Sequence, residues 1–179
     1  MSVVVANLSA SDNYFHFFGV EQQFKLDLSA LDQAYLAIQK EVHPDRHARG
    51  TDADQRLAMQ MATFANSAYQ TLKNPIQRGL HLCKLHGVEA NLETNTAMPA
   101  AFLMKQMEWR EQLEEQEEDL GSLEALAVEV DESKDGLIGE IAVALDSLKN
   151  YDRAAELLRG LLFIDKFSLE LDDAISALV

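Results

Sequence analysis

Cysteine is almost missing from this sequence. Cys83 is the only one, which rules out an intramolecular disulfide and any structural zinc site built from several thiolates. Proline is also rare, with three in 179 residues, so long helices meet few obligatory breaks. No apolar run reaches the length of about 18 residues needed to cross a bilayer. The opening MSVVVANLSASDN lacks the basic flank and full apolar stretch of a secretion signal, so a cytoplasmic location and no membrane partner are expected. Positive charge is scarce as well, with 15 Lys and Arg against 30 Asp and Glu, a formal net charge of −15. Phosphate recognition needs concentrated positive charge, so nucleic acid is not an expected partner.

The deficit is not spread evenly. Residues 1–88 carry eight basic and eight acidic side chains, whereas residues 89–179 carry seven basic and 22 acidic ones. The change coincides with LHGVEANLETNTAMP, Leu85 to Pro99, which holds Gly, Asn, Thr and Pro without helical periodicity. It is expected to link two units.

Before that break, Leu31, Tyr35, Ile38 and Val42, with Ala34, recur at helical spacing, and Asp27 or Ser29 is placed to cap the start. Pro44 stops the helix and pushes His43 out of the α region. Leu57, Met61, Phe64, Ala68 and Leu72 form a second stripe with Thr51 or Asp52 as cap, and the two helices are expected to pair antiparallel. Asn74 and Pro75 supply an N-cap and a first-turn proline for a short helix through Leu80 and Leu82 to about Leu85. The aromatic YFHFFGV upstream, ending at Gly19, reads as a short helical turn packed on the pair.

After the break, Pro99 opens a helix with the stripe Phe102, Trp109, Leu113 and Leu120, closed by Gly121. A second runs from about Leu123 through Leu126, Val130, Leu137, Ile141, Leu145 and Leu148, with a break conceivable near Gly136. KNYD turns the chain into a third holding Ala154, Leu157, Leu158, Leu161, Ile164, Leu171, Ile175 and Leu178. Strand alternation and hairpin signals are lacking, so the expected fold is all-α.

Two histidines, His43 and His47, lie four apart in HPDRH. On a helix that spacing aligns two imidazoles toward one metal, but Pro44 opposes a helix, and Pro and Asp stand where a zinc-protease motif needs Glu. His81, Cys83 and His86 form a second loose cluster, in which His81 and Cys83 diverge on a helix and a packed cysteine is favoured. No nucleophile with an orienting partner is visible, and Asp45 beside His43 is not a dyad. No catalytic residue, metal ligand or cofactor is assigned. On residue chemistry alone, HPD is equally well an interhelical turn.

The order of these features changes that reading. A helix ending at Val42, then His43-Pro44-Asp45, a basic polar loop, a long helix containing FANSAYQTLKNP and a short one with QRGLHL resemble the J-domain of DnaJ-type co-chaperones. From DNYFHFFGV to His86 the match holds in order and spacing. The acidic second half, from MPAAFLMKQMEWREQLEE to LLFIDKFSLELDDAI, is similar to the HscB family, whose members are J-proteins of iron–sulfur cluster assembly.

The resemblance implies a flexible N-terminus (1–11), an N-terminal J-domain (12–86) built on an antiparallel helix pair with short flanking helices, a linker (87–97) and an acidic three-helix bundle (98–179) that binds the client. It implies an ATPase activator rather than an enzyme. His43, Pro44 and Asp45, with the cations Lys40, Arg46 and Arg49, would engage the DnaK-type chaperone HscA. Advancing by about 100° per residue places Leu103, Met107 and Met104 roughly 100° to 200° away from Phe102, among Glu108, Glu111 and Glu115. Those six and Phe163 occupy positions that the family uses to bind the scaffold protein IscU. AIQKEV offers Lys40 alone before the loop, with Glu41 beside it, where general J-domains often carry several cations. A specialised chaperone partner is therefore expected. The alternatives are a J-domain co-chaperone for another client and a helical interaction protein whose HPD is a plain turn.

Overall fold

The computed structural model describes residues 13–42, 51–89, 98–116 and 118–179, and the chain divides into two compact units, Met1–His86 and Gly87–Val179. All regular structure among the described residues is helical, and none of those helices is long and apolar enough to cross a membrane.

In the first unit, α1 (Tyr14–Phe18) begins where the Asn13 side chain accepts from the His16 N–H and ends at Gly19, whose φ of 64° suits a residue without Cβ. Its Phe15, Phe17 and Phe18 are buried. Helix α2 (Leu28–Val42) is capped by Asp27, whose Oδ1 accepts from the amides of Ser29 (2.9 Å) and Ala30 (3.2 Å). Helix α3 (Asp52–Lys73) starts in a reciprocal capping box between Thr51 and Asp54.

Polar side chains fix the direction of the α2–α3 pair. Tyr69 donates its hydroxyl to Asp32, Tyr35 to Asn66, and Gln39 donates to Asn66. Residue numbers rise along one helix as they fall along the other, so the pair is antiparallel, with the Tyr35 and Tyr69 rings stacked 4.1 Å apart.

The buried stripe of α3 differs from the predicted one. Ala58, Met61, Ala65, Ala68 and Leu72 are buried, whereas Leu57 is 38% exposed and Phe64 is half-buried. Alanines allow close approach of the neighbouring helix, so the smaller neighbour takes the contact and Leu57 turns outward. Asn74 ends α3 and caps α4 (Pro75–Leu85), its side chain accepting from the Gln77 amide.

In the second unit, α5 (Ala100–Glu115) and α6 (Leu120–Ala142) are joined by a short turn. Leu120 and Gly121 therefore open α6, where Gly121 was expected to close α5. The reason is Asp119, whose carboxylate accepts from the Gly121 (3.1 Å) and Ser122 (3.4 Å) amides. A cap that captures free amides starts a helix more effectively than the following glycine stops one.

Helix α6 runs without interruption through Gly136 and Gly139. Irregularity comes later, in a π-helical turn at Val143–Ser147, after which Lys149 adopts φ 52° and Asn150 caps α7 (Tyr151–Ala177). This turn carries Leu148 off the buried stripe, and it is 68% exposed. Trp109 of α5, Leu123, Leu126 and Val130 of α6, and Ile164, Phe167 and Leu171 of α7 form the core, with Phe102 and Leu113 packed against it.

Candidate functional site

The first candidate surface lies at one end of the α2–α3 pair. Lys40 is exposed in the last turn of α2, next to Glu41. His43, Pro44, Asp45, Arg46, His47 and Arg49 lie outside the described residues. Covalent continuity makes 43–50 the connection between the end of α2 and the start of α3.

The loose histidine–cysteine cluster resolves into packing. Cys83 is fully buried. His81 is also buried, and its Nε2 accepts from the Tyr14 amide (3.1 Å) while its ring stacks on Tyr14 at 4.2 Å. His86 shares a hydrogen bond with Gln22. Among the described residues no group of His, Cys, Asp and Glu is arranged to hold a metal ion.

The second candidate surface is on α5, and it follows from the helix having two unlike faces. Trp109 is 1% exposed and packs on Phe167, ring centroids 5.7 Å apart. On the outer side Leu103 is 45%, Met104 63% and Met107 70% exposed. Glu108, Glu111 and Glu115 are exposed among them. Three large apolar side chains left in water on one short helix, bordered by carboxylates, have the make-up of a protein-binding surface.

The two flanks of α5 are anchored differently. Toward α6, Lys105 forms an ion pair with Glu129, which also accepts from the Trp109 indole N–H at 2.9 Å. The hydrogen bond from Lys105, followed by that from Trp109, holds the Glu129 carboxyl below the usual carboxylate range. The hydrogen bond to Glu129 raises the Lys105 ammonium in turn. Toward α7, Phe163 is 39% exposed and borders a small cleft of about 110 Å³ with Gln106, Arg110, Lys166, Phe167 and Glu170. Arg110 contacts Glu170 at 3.2 Å and lies over the Phe167 ring. The structure thus sets Phe163 across from the flank of α5 that carries Gln106 and Arg110.

Sequence reasoning passed over Gln106, Arg110, Lys166 and the Lys105–Glu129–Trp109 brace. All depend on which side of α5 meets which helix. Periodicity gives the buried face of a helix but does not name the neighbour at each flank.

Residues 98–172 match the family described as HSCB C-terminal oligomerisation domain. The Co-chaperone protein HscB homolog of Paraburkholderia phymatum is 42% identical over 172 residues, covering 95% of this chain and 98% of that protein. This chain belongs to the HscB co-chaperone family. The corresponding HscB homolog of Ralstonia nicotianae is 43% identical with the same coverage. Among solved structures, chaperone HscB from Vibrio cholerae superposes with a TM-score of 0.83 at 34% identity, covering 93% of this chain and 99% of that one. Human co-chaperone HscB gives a TM-score of 0.85 at 26% identity, covering 90% and 81% respectively. As an HscB-family member of the DnaJ-type J-domain class, the chain is a co-chaperone and not an enzyme. No residue above therefore needs to bind a substrate of its own.

Proposed function

We propose that this co-chaperone serves iron–sulfur protein maturation as a two-ended adaptor. The J-domain (12–86) stimulates ATP hydrolysis by the DnaK-type chaperone HscA. The bundle (98–179) holds an IscU-type scaffold, and residues 87–97 link the two. The observation that carries this reading is the exposed face of α5, where Leu103, Met104 and Met107 stand among carboxylates on a helix whose opposite side is already buried by Trp109. Phe163 across the cleft extends it. Methionines suit such a surface because flexible thioethers repack against a partner.

At the other end, the chemistry of His-Pro-Asp fits activation rather than catalysis. Pro44 restricts the backbone, His43 offers a polar ring, and the Asp45 carboxylate is an acceptor for a charge-assisted hydrogen bond from an arginine of the chaperone. Lys40, Arg46 and Arg49 would steer the encounter. Binding that favours the hydrolysing state of a two-state ATPase accelerates it without contributing a catalytic group. Cluster ligands would come from the scaffold, since one cysteine is too few to bind a cluster. The adaptor would act in the cytoplasm.

The test is single-turnover ATP hydrolysis by HscA, with and without the scaffold. His43→Gln should abolish stimulation while scaffold binding persists. Leu103→Ala combined with Phe163→Ala should remove scaffold binding, measured by pull-down, while leaving basal stimulation. Undiminished stimulation by the His43 variant would end the J-domain mechanism. Undiminished pull-down by the double variant would point to a different client.

A further inference from the structure

The bundle has an excess of negative charge, so its cations are expected to find carboxylates within the unit, and most do. Lys105 meets Glu129 and Glu108, Arg110 meets Glu170, Lys134 meets Asp165 at 2.7 Å, and Arg153 meets Glu140 and Glu156. Lys166 does not. Among the described residues no carboxylate lies within 4.0 Å of its ammonium, although its neighbour Asp165 is occupied by Lys134. It is exposed, stands one turn along α7 from the half-exposed ring of Phe163, and lines the same cleft. Lys149, in the turn before α7, is likewise without a carboxylate within that distance among the described residues. It does not line the cleft that Phe163 and Lys166 share.

We propose that Lys166 receives a carboxylate of the bound client, so that this face selects a partner of two-sided charge. Cations of the client would face Glu108, Glu111 and Glu115 on the outer side of α5. An acidic residue of the client would lie at the Phe163 side, next to the apolar contact. Arg110, in the same cleft, already contacts Glu170 at 3.2 Å, whereas Lys166 has no such contact among the described residues. A lysine beside an apolar anchor acts mainly by setting register, since a wrongly placed client would bring its own cation against the ammonium. The inference rests on the reading of this face as the client-binding surface.

Two substitutions of equal charge separate a local contact from the general field of the bundle. The intact chain would be titrated calorimetrically with purified, cluster-free IscU-type scaffold at low and moderate salt, folding being checked by circular dichroism. Lys166→Glu and Lys149→Glu each shift the net charge of an already acidic unit by −2. Long-range attraction to the client's cations would leave affinity unchanged or raise it in both.

A local carboxylate contact predicts opposite behaviour. Lys166→Glu should weaken binding by about tenfold, with the loss shrinking as salt rises. Lys166→Arg should bind as wild type, and Lys149→Glu should lose nothing. Lys166→Glu matching Lys149→Glu would overturn the inference while leaving the client surface standing, provided Leu103→Ala with Phe163→Ala abolishes binding in the same titration. Wild-type affinity in that double variant would remove the surface and the inference together.

Discussion

Arg78 is a buried cation, 8% exposed, whose guanidinium donates to backbone carbonyls. Its Nε donates to the Phe24 carbonyl at 2.8 Å and one Nη to the Leu72 carbonyl at 2.6 Å, while the guanidinium lies over the Phe24 ring. One side chain thereby satisfies a carbonyl in the last turn of α3, favours the negative end of that helix, and ties down the segment between α1 and α2. Arg78→Met keeps most of the volume but leaves the carbonyls without these donors. It should destabilise the first unit by roughly 3 kcal/mol in urea unfolding. A loss below about 0.5 kcal/mol would show that water replaces the guanidinium without cost. Nothing in the spacing of QRGLHL announces this role, because arginine is ordinarily exposed and one of its partners, Phe24, lies far away in sequence. Leu103, Met104 and Met107 are the contrasting case. Their separation from the buried face could be counted off at about 100° per residue, whereas whether another helix covers them was open until the structure left them exposed.

Helix boundaries were readable where a cap was chemically plain and misread where two signals competed. Asn74 with Pro75 acts as its chemistry implies, and of the alternatives offered Thr51 and Asp27 are the caps, but at Asp119-Leu120-Gly121 the cap outranks the glycine. The Ser122 hydroxyl, with the Ser122 and Gly121 amides, holds the Asp119 carboxyl below its ordinary value. A carboxyl whose pKa is depressed on folding stabilises the fold above the ordinary Asp value, and that contribution is lost as pH falls through the depressed one. Asp119→Ala should therefore lower the thermal midpoint at neutral pH, and the gap to wild type should close on acidification. A gap of constant size from neutral to strongly acidic pH would remove Asp119 as the ionised cap. The glycines of α6 carry a second expectation. A Cβ built at Gly136 or Gly139 meets nothing within 4 Å, whereas at Gly160 it would lie 3.3 Å from Leu137 and 3.6 Å from the Phe102 ring. Gly136→Ala and Gly139→Ala should each stabilise the bundle by about 0.5–1 kcal/mol in denaturant unfolding. Gly160→Ala should gain less or lose stability, because Leu137 and Phe102 must move. A π-turn such as that at Val143–Ser147, by contrast, leaves no mark in VALDS, which carries neither Gly nor Pro.

At the scale of the whole molecule, the sequence separates the two proposed tasks by charge as well as by position. The first half is balanced and carries the His-Pro-Asp tripeptide, while the second is acidic and carries the exposed apolar face. That division was legible from composition, because charge counts need no knowledge of contacts; the cationic side of the proposed client face was not, because Arg110 joins Phe163 and Lys166 at one cleft only through the packing of α5 against α7. If the halves cooperate by tethering, their benefit comes from effective concentration, which a short linker raises to about the millimolar range. Separate fragments at about 1 μM each should then lose most of that advantage. Residues 1–86 alone should retain basal stimulation of HscA, and residues 98–179 alone should bind the scaffold. Their mixture should recover less than about a tenth of the scaffold-dependent stimulation given by the intact chain at the same concentration. Rejoining the halves through a Gly-Ser linker of the length of residues 87–97 should restore it, because tethering alone would suffice. Equal stimulation by the mixture and the intact chain, in single-turnover assays of HscA with the scaffold, would mean that the scaffold reaches the chaperone unaided. The acidic bundle would then need a role other than delivery.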